Sequence, residues 1–341
     1  MRVLFISDRR DGGILRHVRC LRACLPPEVE TYEIGCGADE EFAGQSGHDI
    51  REWFQIRRII RDFKPDIIHF HIPALMMMFY VRCFSKAKIV RSWHTSTTRA
   101  EGLKNRIARW LCGRKCYYLP VSSPTFDGLR RWAPGIKGEV FFNPIRIGSF
   151  GDMGIDHFCR VEHVDRVEGT REGRFKGAHA VVGMVGRNAK VKDWPSFHKV
   201  ESEVKRKMPN VEFVNGGEKY PCNGREEIGR MDVFVMTSKH EELPTTMLEC
   251  FLLGTPICGF LPVGGTCDVL GFSNGAVRDA FSEERDCRKL ADTVVNLLND
   301  EERRRRMVED GWQILKNHFA AEMLVKDQLM EIYKRVCGQR D

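Results

Sequence analysis

The chain has 341 residues, 42% hydrophobic and 30% charged, and its 54 Lys and Arg exceed its 47 Asp and Glu to give a net charge of +7. That length suggests two domains, and the apolar share supplies a core for each, which excludes a disordered or fibrous chain. So mild a basic balance favours anionic partners such as phosphates and nucleotides, and no nucleic acid is expected.

The opening "MRVLFISDRR" runs into a strand-like segment too short for a signal peptide, so a cytoplasmic location is expected. "RVLFIS" reads as a strand, and "DRRDGGILRHVRCLRACL" as a glycine turn leading into a helix through Ile14, Leu15, Val18, Leu21 and Leu25. "IREWFQIRRIIRDF" is helical, and "PDIIHFH", "KIVRSWH", "YYLPVSS" and "GEVFFNPI" read as strands. The longest apolar run, Ile72 to Val81, is about half of the roughly 20 residues needed to span a membrane. Its Met76–Met78 reads as core or as an adaptable apolar lining. Lys104 to Leu119 is basic and apolar. It reads either as a helix docked on the sheet or as a peripheral contact with an anionic membrane.

Residues from about Gly148 to Lys176 are Gly-rich, charged and aperiodic, as expected of a linker. A second series follows: "HAVVGMVGR" (strand), "FHKVESEVKRKM" (helix), "VEFVNGG" and "MDVFVMTS" (strands), "TTMLECFLL" (helix), "TPICGF" (strand) and "CRKLADTVVNLL" (helix). Two long helical patterns close the chain, and the Arg303–Arg306 run reads as a solvated helix face. Alternating strands and helices predict an α/β chain of two doubly wound, Rossmann-like domains facing across a cleft, with a ligand at the carboxyl ends of the strands. Thirteen cysteines with no Cys-x-x-Cys pair read as reduced thiols. Cys112 and Cys116, and Cys20 and Cys24, lack further ligands nearby, so no metal site is expected.

Two stretches carry candidate chemistry. In "KHEELPTTMLECFLL", Pro244 suits a first helical turn and leaves the N–H groups of Thr245 and Thr246 without acceptors, a seat for phosphate. Glu249, one turn further in, and Glu241 ahead of the helix are acceptors for sugar hydroxyls, or else surface acids, or an acid paired with an Arg. In "GMVGRNAKVKDW", Arg187 and Lys192 follow a strand and together would neutralise a diphosphate, unless both are solvated loop cations.

Taken together, Gly186, Arg187, Lys192, Ser238, Glu241, Pro244, Glu249, Gly254 and Pro256 resemble the donor-binding half of the family 4 retaining glycosyltransferases. "DGGILRH", "PDIIHFH", "SWHTS" and "NPI" follow the family's order in the first half. The resemblance implies a GT-B fold and metal-independent, retaining transfer of a sugar from a nucleotide-sugar donor to the hydroxyl of a saccharide or lipid-linked acceptor. No cofactor is implied, the donor being a substrate. Arg187 and Lys192 would bind the diphosphate and Glu249 the ribose. Glu241 would meet the donor sugar or phosphate, and His94 the sugar. Gly12 and Gly13 would let the first loop approach the phosphates. Domains are expected at 1–150 (acceptor side), 151–177 (linker) and 178–318 (donor side), with a helix over 319–341 returning toward the first.

Two residues depart from the family pattern. Glu242 and Asp193 stand where members carry Gly, adding charge and a Cβ near the phosphates. Between "VNGG" and "MDVFVMTS" only a short segment intervenes, which trims the expected base pocket. A sugar-nucleotide epimerase of the same fold, or a catalytically degenerate nucleotide-sugar-binding subunit, are the alternatives.

Overall fold

The computed structural model describes residues 1–8, 13–36, 50–72, 75–94, 116–148, 180–220 and 222–338. Gly12, the 151–177 segment and all of Lys104–Leu119 before Cys116 lie outside the described residues. The chain divides into two compact units, Met1–Arg146 with Ala321–Asp341, and Ile147–Ala320.

The first unit is built on a six-stranded parallel sheet. Its strands are β1 (Arg2–Asp8), β2 (Glu30–Cys36), β3 (Ile67–Phe70), β4 (Lys88–Trp93), β5 (Cys116–Pro120) and β6 (Lys137–Gly138), ordered β2-β1-β3-β4-β5-β6. Helices α1 (Gly13–Cys24), α2 (Ile50–Phe63), α3 (Leu75–Phe84) and α4 (Ser123–Trp132) connect them. Side chains alternate across β1. Leu4 and Ile6 pack with Ile56 and Ile60 of α2 and with Met77, Met78 and Val81 of α3. Val3 and Phe5 pack with Val18 and Leu21 of α1 on the other face. Both faces being covered explains why "IIHF" is apolar without alternation and wholly buried.

The second face is completed from the far end of the chain. Val325, Leu329, Ile332 and Tyr333 are buried against Val3, Phe5, Val90 and Leu119. Ala321 N–H donates to the Ile145 carbonyl at 2.8 Å, and Gln328 Nε2 to that of Val140 at 2.9 Å.

One expected strand is corrected. "GEVFFNPI" contributes only its first residue, Gly138, to β6. Glu139 and Phe141 still donate to the carbonyls of Tyr118 and Pro120, but Pro120 has no N–H to return, so the ladder stops there.

The second unit carries a five-stranded parallel sheet of β7 (Val181–Val185), β8 (Glu212–Gly216), β9 (Val233–Met236), β11 (Ile257–Phe260) and β13 (Phe281–Ser282), ordered β13-β11-β9-β7-β8. A small parallel pair, β10 (His240–Glu241) and β12 (Val263–Gly264), stands apart. The helices are α5 (Trp194–Lys207), α6 (Gly224–Arg230), α7 (Thr245–Leu253), α8 (Thr266–Leu270), α9 (Cys287–Asn299) and α10 (Glu301–Ile314). Two starts are fixed by side chains: the Asp286 carboxylate accepts from Arg288 and Lys289 N–H, and that of Asp300 from Arg303 N–H.

Candidate active site

Loop 186–193 leaves the end of β7, where Gly186 N–H donates to the Gly216 carbonyl at 2.9 Å. A Cβ on Gly186 would stand 3.2 Å from the Lys192 side chain, so the glycine makes room for the lysine stem. Lys192 Nζ then reaches Glu241 Oε1 at 2.6 Å, with the two side chains 16% and 13% exposed. Thr237 Oγ1 holds the loop by donating to the Lys192 carbonyl at 3.0 Å. Arg187 is exposed, and its carbonyl accepts from Trp194 Nε1 at 3.3 Å.

Glu241 is positioned by the β10–β12 pair, and that pair depends on one glycine. Gly264 has φ +120°, and a Cβ there would fall 2.0 Å from the Glu241 carbonyl oxygen. Any other L residue would push Glu241, and Lys192 with it, out of place.

Pro244 proves to be the N-cap of α7 rather than a first-turn residue, with no side chain capping the helix. Its carbonyl accepts from Met247 and Leu248 N–H at 3.0 and 3.3 Å. The N–H groups of Thr245 and Thr246 stand ahead of these, at the positive end of the helix dipole, where an anion is favoured. Thr245 is exposed and Thr246 half-buried.

Met247, Leu248, Cys250, Phe251 and Leu252 are buried in α7, whereas Glu249 keeps 17% of its side chain exposed. Its Oε1 accepts from Arg225 Nε at 3.3 Å, and Arg225 is itself 52% exposed. The acid is therefore neither a free surface group nor paired with a buried Arg. An ion pair this open contributes about 0–1 kcal/mol, so a ligand hydroxyl can replace it at little cost. Arg225 comes from α6, a helix within the short segment that is expected to trim the base pocket.

Asp193 resolves one departure from the family pattern. Its φ of 55° and ψ of 50° are left-handed, which glycine adopts freely and Asp tolerates. Its carboxylate accepts from Arg285 at 2.8 Å and from Ser196 Oγ at 2.8 Å, and pairs with Lys239 at 3.2 Å. Burial raises its pKa, but the bonds from Ser196, Arg285 and Lys239 outweigh this and hold it below the usual carboxylate range. The charge is consumed within the protein, and Arg285 spends further donors on the carbonyls of Thr237 and Ser238. Glu242, the other departure, pairs with His240 Nε2 at 3.1 Å.

Asp193→Asn, which keeps size and turn tolerance, should cost about 1.5–3 kcal/mol at pH 7. A depressed pKa contributes stability above the unfolded value of 3.8 that is lost as pH falls through the folded value. Urea melts at pH 7 and pH 3 should therefore show a gap that narrows in acid; an equal gap at both would mean that the charge does not matter.

In the first unit, Gly13 opens α1 and His94 follows β4 directly. Burial first, then the positive charge of Arg91, pull His94 down to about 4. His69 is a satisfied core residue, with Nδ1 2.7 Å from Tyr333 Oη and Nε2 2.9 Å from Ser92 Oγ. Sequence reasoning missed Arg225, Arg285 and His17. Only His17 carried a local signal, one turn along α1 from Gly13.

Comparison with known proteins follows the same division. Residues 12–147 match the model of Glycosyltransferase Family 4, and residues 179–313 that of Glycosyl transferases group 1. The chain is 24% identical to a 2-deoxystreptamine N-acetyl-D-glucosaminyltransferase of Streptomyces fradiae, covering 82% of this chain and 73% of that one. It is 27% identical to the lipopolysaccharide core biosynthesis glycosyltransferase LpsE of Rhizobium meliloti over 45% of each. Among solved structures it resembles Anabaena Alr3699/HepE in complex with UDP-glucose, with a TM-score of 0.69 at 14% identity over 98% of this chain and all of that one. A sucrose-phosphate synthase from Thermosynechococcus elongatus also aligns at 0.69, with 13% identity over the whole of both. At such identities the structures speak for the fold, which is GT-B with two Rossmann-like units.

Proposed function

Because the two halves of the chain belong to glycosyltransferase families, Glycosyltransferase Family 4 and Glycosyl transferases group 1, we propose that it transfers a sugar from a nucleotide-sugar donor to a hydroxyl of a saccharide acceptor, with retention and without a divalent cation. The observation that carries this reading is the second unit's cationic loop, with Lys192 held on Glu241 and Arg187 exposed, in the same unit as the uncapped start of α7.

In the reaction proposed, the bond from the anomeric carbon to the diphosphate oxygen breaks as the bond to the acceptor oxygen forms. The acceptor's proton passes to the departing diphosphate. Charge develops on that leaving group, and Arg187, Lys192 and the N–H groups of Thr245 and Thr246 supply the donors that stabilise it. Glu241 orients Lys192 and Glu249 accepts from ribose hydroxyls, displacing Arg225. Neither acid is a nucleophile, so the spacing rule for hydrolase carboxylates does not apply.

By name one relative is a 2-deoxystreptamine N-acetyl-D-glucosaminyltransferase and the other acts in lipopolysaccharide core biosynthesis, and the second supports a saccharide or lipid-linked acceptor. A cytoplasmic location with peripheral contact at an anionic membrane belongs to the same proposal. Among the described residues no helix is long and apolar enough to cross a membrane.

The reading is tested by calorimetric titration with UDP, GDP and ADP in the presence of chelator. One nucleotide should bind selectively, and Glu249→Ala should weaken it by about tenfold or more, the worth of one or two hydroxyl bonds to a charged acceptor. Binding of none of the three would set the reading aside. Binding without turnover on any acceptor would favour the catalytically degenerate nucleotide-sugar-binding subunit.

A further inference from the structure

Three imidazoles meet in the first unit: His17 from α1, His71 one residue past β3 and His94 one residue past β4. One nitrogen from each lies within 4.8 Å of those of the other two. Ring centroids are 5.2 Å apart for His17 and His71, 5.0 Å for His17 and His94, and 5.8 Å for His71 and His94. His17 and His71 are only 6% and 2% exposed. Neither nitrogen of either ring has a hydrogen-bond partner among the described residues, nor has Nε2 of His94.

The contrast with His69 makes this informative. That fourth histidine stands 4.2 Å from His71, ring to ring, yet both of its nitrogens are bonded to side chains. Among the described residues the same fold therefore satisfies one imidazole completely and leaves both nitrogens of His17 and His71, and Nε2 of His94, without a partner. A buried polar atom without a partner costs about 1–3 kcal/mol, so several in one place call for an occupant that uses their lone pairs.

We propose that His17, His71 and His94 form a three-imidazole site for a borderline transition-metal cation, for which Zn2+ is the natural probe. Three neutral imidazoles and an open fourth position are a common donor set for that ion. A tetrahedral ion about 2.0–2.1 Å from each nitrogen separates them by roughly 3.3 Å, so nitrogens that now lie within 4.8 Å of one another must draw inward around the ion. Burial, reinforced by the neighbouring histidines, keeps His17 and His71 neutral at pH 7, the form that ligates. The Arg91 guanidinium, which stacks 4.1 Å from the Trp93 ring, acts electrostatically on His94 and opposes a second cation. The site accordingly binds reversibly rather than as a permanent structural centre. This inference does not rest on the transfer reading. His94 is, however, the side chain that the family likeness gives to the donor sugar, so metal occupancy and that contact exclude each other.

The test uses untagged full-length protein stripped with chelator, titrated with Co2+ under visible absorption and with Zn2+ by calorimetry. One equivalent should bind, with Co2+ giving the intense visible bands of a four-coordinate site that Zn2+ then bleaches. His17→Gln and His71→Gln should each weaken Zn2+ binding by at least the roughly 10–100-fold that loss of a mere supporting contact costs. Circular dichroism checks their folding. No saturable binding by the natural chain overturns the proposal. So does binding that survives in both histidine variants, which would belong to exposed thiols such as Cys83, Cys222 and Cys267. Should the histidine variants unfold, a triple Ser variant of those three cysteines decides: retained binding supports the histidine site and lost binding removes it.

Discussion

Lys192→Ala is expected to lower the turnover rate of sugar transfer by about 10²–10³, the usual effect of removing one preorganised donor from a developing oxyanion. The lysine is held ready at 2.6 Å from Glu241 before any substrate arrives, so its charge needs no reorganisation during the reaction. The substitution also leaves Glu241, only 13% exposed, without its cation and facing an incoming diphosphate. That repulsion should raise the KM for donor as well as lower kcat. Lys192→Arg keeps the charge but places a planar fork where the Gly186 side of the loop admits a narrow stem, and should recover only part of the rate. Steady-state kinetics with a nucleotide-sugar donor, alongside thermal melts, separate these effects. Activity of Lys192→Ala within threefold of the natural protein would remove the lysine from the leaving-group site.

The second large effect is on stability. Tyr333 is fully buried against the face of the first sheet that also holds Val3, Phe5 and Leu119. Tyr333→Ala should cost about 3–5 kcal/mol from lost burial and the cavity left behind. It also strips His69 Nδ1 of its 2.7 Å partner, adding about 1–3 kcal/mol. Against a typical total of 5–15 kcal/mol this brings the first unit close to unfolding. Tyr333→Phe keeps the ring and isolates the hydrogen bond, so it should show only the smaller share. Chemical denaturation of both variants gives the comparison. A Tyr333→Ala protein as stable as the natural one would mean that the chain's last segment contributes little to that core.

Much of this arrangement was legible because it is written in local patterns. The alternation of strands and helices and the buried strand "IIHF" follow from short-range rules, whereas Lys192, Glu241 and Glu249 stood out together only through a resemblance to a family. What escaped was set by distant partners. Arg225 reaches Glu249 across 24 positions and Arg285 reaches Asp193 across 92, and nothing near either arginine announces its partner. "GEVFFNPI" misled because its β propensity was real, while the proline that ends its ladder lies on the neighbouring strand, at Pro120. Asp193 read as an intruder in a glycine position; its left-handed backbone and three partners become visible only in three dimensions.

The first sheet is covered on one face by residues near the beginning of the chain and by others near its end, with the whole of Ile147–Ala320 made in between. At ribosomal rates of about 5–20 residues per second, synthesis passes Arg146 on the order of ten seconds or more before it reaches Tyr333. Throughout that interval Phe5, Val90 and Leu119 lack the cover of Val325, Leu329, Ile332 and Tyr333, while the second unit possesses every residue it needs as soon as synthesis passes Ala320. Nascent chains should therefore complete the later unit before the earlier one, and in the waiting period the uncovered face is a target for holding chaperones.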